Sequence, residues 1–322
     1  MPQHPVRANV AISNKLAAVA LCLCSFYAPT AVALEASDVA GAGNQTATQS
    51  PAAAPGERVT IPYVGGGVFG TDTAMTALVF LPPGPGPFPV VLFSHGRAGD
   101  SKVRADMRNP IPTWHARYWT SRGVAVVAPM RVGYGETGGP DRENSGARYD
   151  LLGNCSGRPN FKGLAEQTDR ALLSSLDWVR RQPWANRDRI LLEGVSVGGF
   201  ATIAMAATRP AGVVGYINFS GGAGGSPERS PGHSCDPNQM RDMMAEFGQT
   251  VNVPGIWLYA GNDLYWGGDA PKEWYGAFAA GGSKAQMVAV PEVPGQDGHM
   301  LLTRGRRLWQ RDLDQFAQAL GF

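Results

Sequence analysis

Apolar residues along this chain come in short blocks separated by turn-forming sequence, with longer stretches of helical spacing between the blocks. The blocks 73–81, 89–94 (PVVLFS), 124–128, 189–195, 213–219, 255–260 and 286–290 predict strands. Between them, 114–122, 162–182, 240–247, 273–280 and 306–320 predict helices, as does the small-residue run from Gly199 that ends before Pro210. The pattern is clearest in 162–182, where Leu164, Thr168, Leu172, Leu176 and Val179 fall on one helical face. Strands alternating with helices predict an α/β fold, a doubly wound, mostly parallel sheet with helices on both faces. Two segments, 131–162 and 220–236, are too long for plain connections and read as functional loops.

Before residue 57 the pattern changes. Arg7 and Lys15 precede an apolar stretch at 16–26, and Ala31-Val32-Ala33 supplies the small residues of a processing site. The stretch is too short to span a bilayer, so residues 1–33 are expected to be a signal peptide cut after Ala33. Residues 34–56 are mostly Ala, Gly, Ser, Thr, Gln and Pro and predict a disordered tether to a domain at 57–322. The expected location is periplasmic or secreted.

Processing at Ala33 leaves 26 basic and 26 acidic residues, a formal net charge of about zero. That balance points away from nucleic acid and anionic membranes, and no other apolar run is long enough to span a bilayer. It also leaves Cys155 and Cys235, which in an oxidising compartment are expected to form one disulfide between the two long loops. Neither has metal-ligand spacing, so no metal is expected. Oligomeric state is not encoded in any feature of this kind.

The chemistry centres on residues 190–199, ILLEGVSVGG. Chance would supply roughly 0.3 copies of Gly-x-Ser-x-Gly in so glycine-rich a chain, so context carries the inference. Here the motif Gly194-Val195-Ser196-Val197-Gly198 lies between a buried strand and a helix of small residues, the setting that exposes a serine as a nucleophile. Such a serine needs a base, and the base needs an acid to hold its tautomer. Asp263 follows the GIWLYA strand and His299 follows the last strand; Asp269 and Asp297 are the competing acids. His95, His115 and His233 lie in a glycine turn, a helix and the loop beside Cys235, which leaves His299 as the expected base. Val197 N–H and Arg97 N–H, the latter after Ser94-His95-Gly96, are the expected oxyanion donors.

Tyr265 and Trp266 are expected to wall the substrate pocket. Arg131, Tyr134, Arg142 and Tyr149 of the first long loop are further candidates for substrate contact, and the Arg97 side chain is a candidate carboxylate ligand.

With His95-Gly96-Arg97, the elbow ending Gly198-Gly199, Asp263 and His299 in this order, the region 57–322 resembles the α/β-hydrolase superfamily, and in particular its dienelactone-hydrolase-like branch and related exported esterases. Dienelactone hydrolases proper carry cysteine where this chain has Ser196. The resemblance therefore implies a serine esterase acting on a small-molecule ester through an acyl-enzyme, with no cofactor. Prolyl-oligopeptidase-like exopeptidases or amidases resemble the same elbow and triad and are the alternative enzyme class. A hydrolase fold used only for binding is the third reading.

Overall fold

Alternate residues of the central strands face two different cores. On the strand Phe88–Ser94, Val90 and Leu92 enter one, and Val91 and Phe93 the other; on the strand Ala185–Val195, Ile190 and Leu192 face away from Leu191. This period of two, with apolar residues on both faces, is what a sheet covered on both sides requires.

The computed structural model describes residues 56–65 and 73–322; the expected signal peptide and, apart from Gly56, the expected tether lie outside them. The first half runs β1 Glu57–Tyr63, β2 Thr73–Phe80, β3 Phe88–Ser94, α1 Ser101–Ala105, α2 Thr113–Thr120, β4 Ala125–Pro129, α3 Phe161–Arg180 and β5 Ala185–Val195. Then come α4 Val197–Ala207, β6 Val213–Phe219, β7 Gly225–Ser226, β8 Ser230–Ser234, α5 Pro237–Thr250 and β9 Gly255–Ala260. The chain closes with α6 Ala270–Ala280, β10 Ala285–Val290, α7 Leu301–Arg304 and α8 Arg306–Ala319.

Eight of the described strands form one sheet in the order β1-β2-β4-β3-β5-β6-β9-β10. β1 and β2 run antiparallel at one edge, and every pairing from β4 to β10 is parallel. The core on one face includes Leu172 and Leu176 of α3, Phe200 and Ile203 of α4, Met240 of α5 and Phe278 of α6. The core on the other includes Trp119 of α2 and Trp309 and Leu313 of α8. The expected doubly wound architecture is present.

The differences from expectation have local causes. β1 is an additional edge strand whose Ile61 and Tyr63 are buried, and Pro62 fits because an edge position can spare an N–H. α5 and α6 begin earlier than their apolar spacing suggests, because each accepts a proline in its first turn. The 220–236 loop contains the β7–β8 hairpin.

Because β3, β5, β6, β9 and β10 are parallel, their C-terminal ends share one edge of the sheet. The residues that follow them there are His95, Ser196, Ser220, the Asn262-Asp263 pair and the loop leading to His299.

Candidate active site

Ser196 lies between β5 and α4 with φ 57° and ψ −127°, a region that costs an L-residue about 1–3 kcal/mol. Its backbone is held against that strain. Ser196 N–H donates to Phe219 O at 2.9 Å, and Ser196 O accepts from Phe200 N–H at 3.0 Å and Gly222 N–H at 3.3 Å. The sharpness of the turn explains its glycines: a Cβ on Gly194 would sit 2.2 Å from Gly198 O, and one on Gly198 2.0 Å from Ser94 O. Val197 is the first residue of α4, where a helix leaves its N–H groups free and its dipole favours negative charge.

His299 and Asp263 meet across the loops after β10 and β9. His299 Nδ1 lies 3.0 Å from Asp263 Oδ2 and 3.2 Å from Oδ1. A carboxylate only accepts, so Nδ1 carries the proton and Nε2 is left with its lone pair. Asp263 is 1% exposed, and its Oδ1 also accepts from Tyr265 N–H at 2.7 Å and Trp266 N–H at 3.1 Å. The competing acids do other work. Asp297 accepts from the backbone of Leu264 and His299, and Asp269 pairs with Lys272 at the surface. Asn262, which the sequence reasoning did not single out, ties the two loops together: its amide donates to Val293 O and Gln296 O and its Oδ1 accepts from Val293 N–H.

The aromatic pair after Asp263 packs on the histidine. Tyr265 stacks on the His299 ring with centroids 3.9 Å apart, and Trp266 meets it edge-on at 5.4 Å. Trp266 is only 2% exposed and donates from Nε1 to Ser220 O, so it supports the imidazole more than it offers a wall to a ligand. Tyr265 is partly exposed and its phenol is raised above its ordinary pKa by burial.

The loop after β3 abuts the serine: a Cβ built on Gly96 would lie 3.3 Å from Ser196 Cβ. Arg97 lines the same depression as Ser196. Its side chain is anchored, with Nη2 donating to Asp141 at 2.8 Å, while Nε is shut off from solvent without a hydrogen bond. Two candidates from the first long loop are corrected. Arg131 is 2% exposed and Tyr134 fully buried, both bonded to Glu143, because a buried ion pair, not substrate, satisfies them. His95 is buried too. Burial and the Arg131 charge hold its pKa well below the ordinary histidine value, so it is a neutral ring. His115 lies inside the fold against Glu193.

Ser196, Val197, Arg97, Tyr265 and Trp266 line one depression of about 940 Å³, toward the upper end of the range for small-molecule sites. Both long loops contribute to it, through residues such as Tyr149, Leu151, Gly225 and Arg229. A Cys155–Cys235 disulfide joins them, as expected. Tyr149 Oη adds to the junction, donating to Gly224 O and lying 3.1 Å from His233 O. Among the described residues Ser196 Oγ caps no backbone group of α4 and forms no hydrogen bond to His299. No group of His, Cys, Asp and Glu among the described residues is arranged to hold a metal ion, and no helix there is long and apolar enough to cross a membrane.

No protein-family model matches the chain, and no curated protein does. Solved structures do match. An acylaminoacyl peptidase bound to a chloromethyl ketone aligns at 16% identity and TM-score 0.54 over 82% of this chain, which spans only 42% of that protein. A protein assigned as a dienelactone hydrolase from Klebsiella pneumoniae subsp. pneumoniae MGH 78578 aligns at 20% identity and TM-score 0.50, covering 81% of this chain and 99% of its own. The α/β hydrolase GrgF from Penicillium sp. sh18 aligns at 14% identity and TM-score 0.54, covering 83% and 100%. Sheet order, the placement of the serine turn and these likenesses agree: this chain has the α/β-hydrolase fold.

Proposed function

We propose that residues 57–322 are the catalytic domain of an exported serine hydrolase that cleaves carboxylic esters, carried behind a signal peptide at 1–33 and a tether at 34–56. The observation that carries this reading is the His299–Asp263 pair, oriented with Nε2 free, at the sheet edge that holds Ser196 on its strained turn. In this reading His299 Nε2 takes the Ser196 proton as Oγ attacks the ester carbonyl. Asp263 stabilises the resulting imidazolium, and the N–H groups of Val197 and Arg97 receive the oxyanion. The protonated histidine then passes its proton to the leaving alcohol. Water, deprotonated by the same ring, releases the acyl group and regenerates the serine.

Labelling with a fluorescent fluorophosphonate tests the nucleophile. The wild-type protein should label and Ser196→Ala should not. A panel of acyl aryl esters beside aminoacyl anilides then separates esterase from amidase: faster anilide cleavage would move the assignment to an acyl-peptidase. A well-folded wild type that neither labels nor cleaves would leave a binding protein built on a hydrolase fold.

A further inference from the structure

The loop that carries the proposed oxyanion donor Arg97 N–H is gripped by a buried cation. Arg131, just after β4, sends its guanidinium under residues 94–95: Nη1 donates to Ser94 Oγ at 3.0 Å and to His95 O at 2.8 Å. The same carbonyl also abuts the start of α4, where a Cβ on Gly198 would come within 2.4 Å of His95 O. The His95 peptide thus meets both Arg131 and the turn that displays Ser196.

The hold continues through the ring. Arg131 backbone N–H donates to His95 Nε2 at 3.2 Å, so Nδ1 bears the proton and donates to Gly96 O at 2.7 Å. The carbonyl of Gly96 and the N–H of Arg97 belong to one planar trans peptide and point in opposite directions. Anchoring Gly96 O to the ring therefore turns Arg97 N–H away from it, while Gly96 itself rests against Ser196. One residue further on, Ala98 N–H reaches Tyr134 Oη at 3.4 Å, and Tyr134 in turn donates to Glu143 at 3.1 Å. Glu143 closes the system on Arg131, accepting from Nε and, at 3.0 Å, from Nη2. Burial alone would lower the Arg131 pKa, but the facing Glu143 carboxylate and Tyr134 together outweigh it and hold the guanidinium above its ordinary value.

An ion pair this deep is weak evidence for stability, since apolar residues of similar volume do as well or better. What it supplies is direction. The planar fork bonds a carboxylate with two nitrogens while the third addresses a hydroxyl and a carbonyl at once, which an ammonium does not reproduce.

We propose that Arg131, backed by Glu143 and acting through His95, is the positioning residue that aims the 96–97 peptide at the oxyanion. The proposal rests on the serine-hydrolase reading above, and it predicts a loss confined to the transition state. Arg131→Lys and Arg131→Met should lower kcat about 10–100-fold with KM within about threefold. A boronic acid that becomes a charged tetrahedral adduct should lose affinity in proportion to kcat/KM. An uncharged, unreactive ester isostere should bind as before. A folded variant with unchanged kcat, or one whose loss lies in KM alone, would overturn the proposal.

A second measurement uses the wild-type protein and does not depend on a variant folding. The 15N shifts of the His95 ring should show a neutral Nδ1–H tautomer, and an Nε2–H tautomer would overturn the clamp. Failure of the hydrolase reading would look different, as a wild type that neither labels with fluorophosphonate nor turns over any ester.

Discussion

Breaking the Cys155–Cys235 bond by the double substitution to alanine gives the sharpest test of how the loops over the site are held. The bond links residues 80 apart in sequence. Releasing a loop of that length returns about 15 cal/mol/K to the unfolded chain, or about 4.5 kcal/mol of lost stability at 25 °C. For a domain of this size that corresponds to a fall in Tm of about 8–15 °C. The loss should be read from urea unfolding of the oxidised wild type beside Cys155→Ala/Cys235→Ala, with a larger m-value in the variant, whose unfolded chain is no longer held compact by the cross-link. The bond also has a local consequence. It fastens the Tyr149–Cys155 bridge to the segment ending β8, and residues from both neighbourhoods line the cavity above Ser196. KM should therefore rise for esters that fill the cavity, while kcat for a small acetate ester changes little. A stability loss below about 1 kcal/mol would refute the entropy argument, and an unchanged KM for bulky esters would refute the role of the bond in shaping the cavity.

Three further expectations follow from buried polar groups. Asp263→Asn keeps an oxygen for the N–H groups of Tyr265 and Trp266 but presents an amide to His299 and favours the wrong tautomer; kcat on an aryl ester should fall about 10⁴-fold with the fold intact, and a loss under tenfold would point to another acid. Asp169 on α3 has an Oδ1 shut off from solvent without a hydrogen bond, and burial, with Glu166 nearby, raises its pKa to about 7. The folded state then holds a proton that the unfolded chain releases near pH 4, so stability falls as pH rises from about 4 to about 7, by at most about 4 kcal/mol. Asp169→Asn should raise the urea midpoint at pH 8 and leave it nearly unchanged at pH 4.5, and an equal effect at both would contradict the cause. Glu193 on β5 accepts from His115 Nε2 and Trp119 Nε1, both at 2.8 Å, in the interior; Glu193→Ala strands both rings and should cost about 3–5 kcal/mol in urea unfolding at pH 7, whereas a loss under about 1 kcal/mol would mean that the cluster repacks.

The order of elements, the sheet's parallel character and the serine turn were legible in the linear chain because each rests on short-range rules. PVVLFS and GIWLYA are apolar blocks of strand length, 162–182 repeats at helical spacing, and Gly194 and Gly198 flank a serine where a strand meets a helix. The helix starts at Pro237 and Ala270-Pro271 were hidden by a residue that usually ends helices and is tolerated only in the first turn. Burial was hidden altogether. Arg131 and Tyr134, in a loop rich in Gly, Arg and Asn, read as candidates for contact with substrate, and only folding shows them sealed around Glu143. The same holds for Asn262, which bonds to Val293, 31 residues away, in a way no local pattern encodes. The sequence by itself determined the elements and the turn that displays Ser196, since backbone sterics and hydrophobic periodicity act over a few residues. The tertiary structure alone decided which acid meets His299, which aromatic rings support it and which charges are buried, because those pairings join residues far apart in the chain whose desolvation depends on everything packed around them.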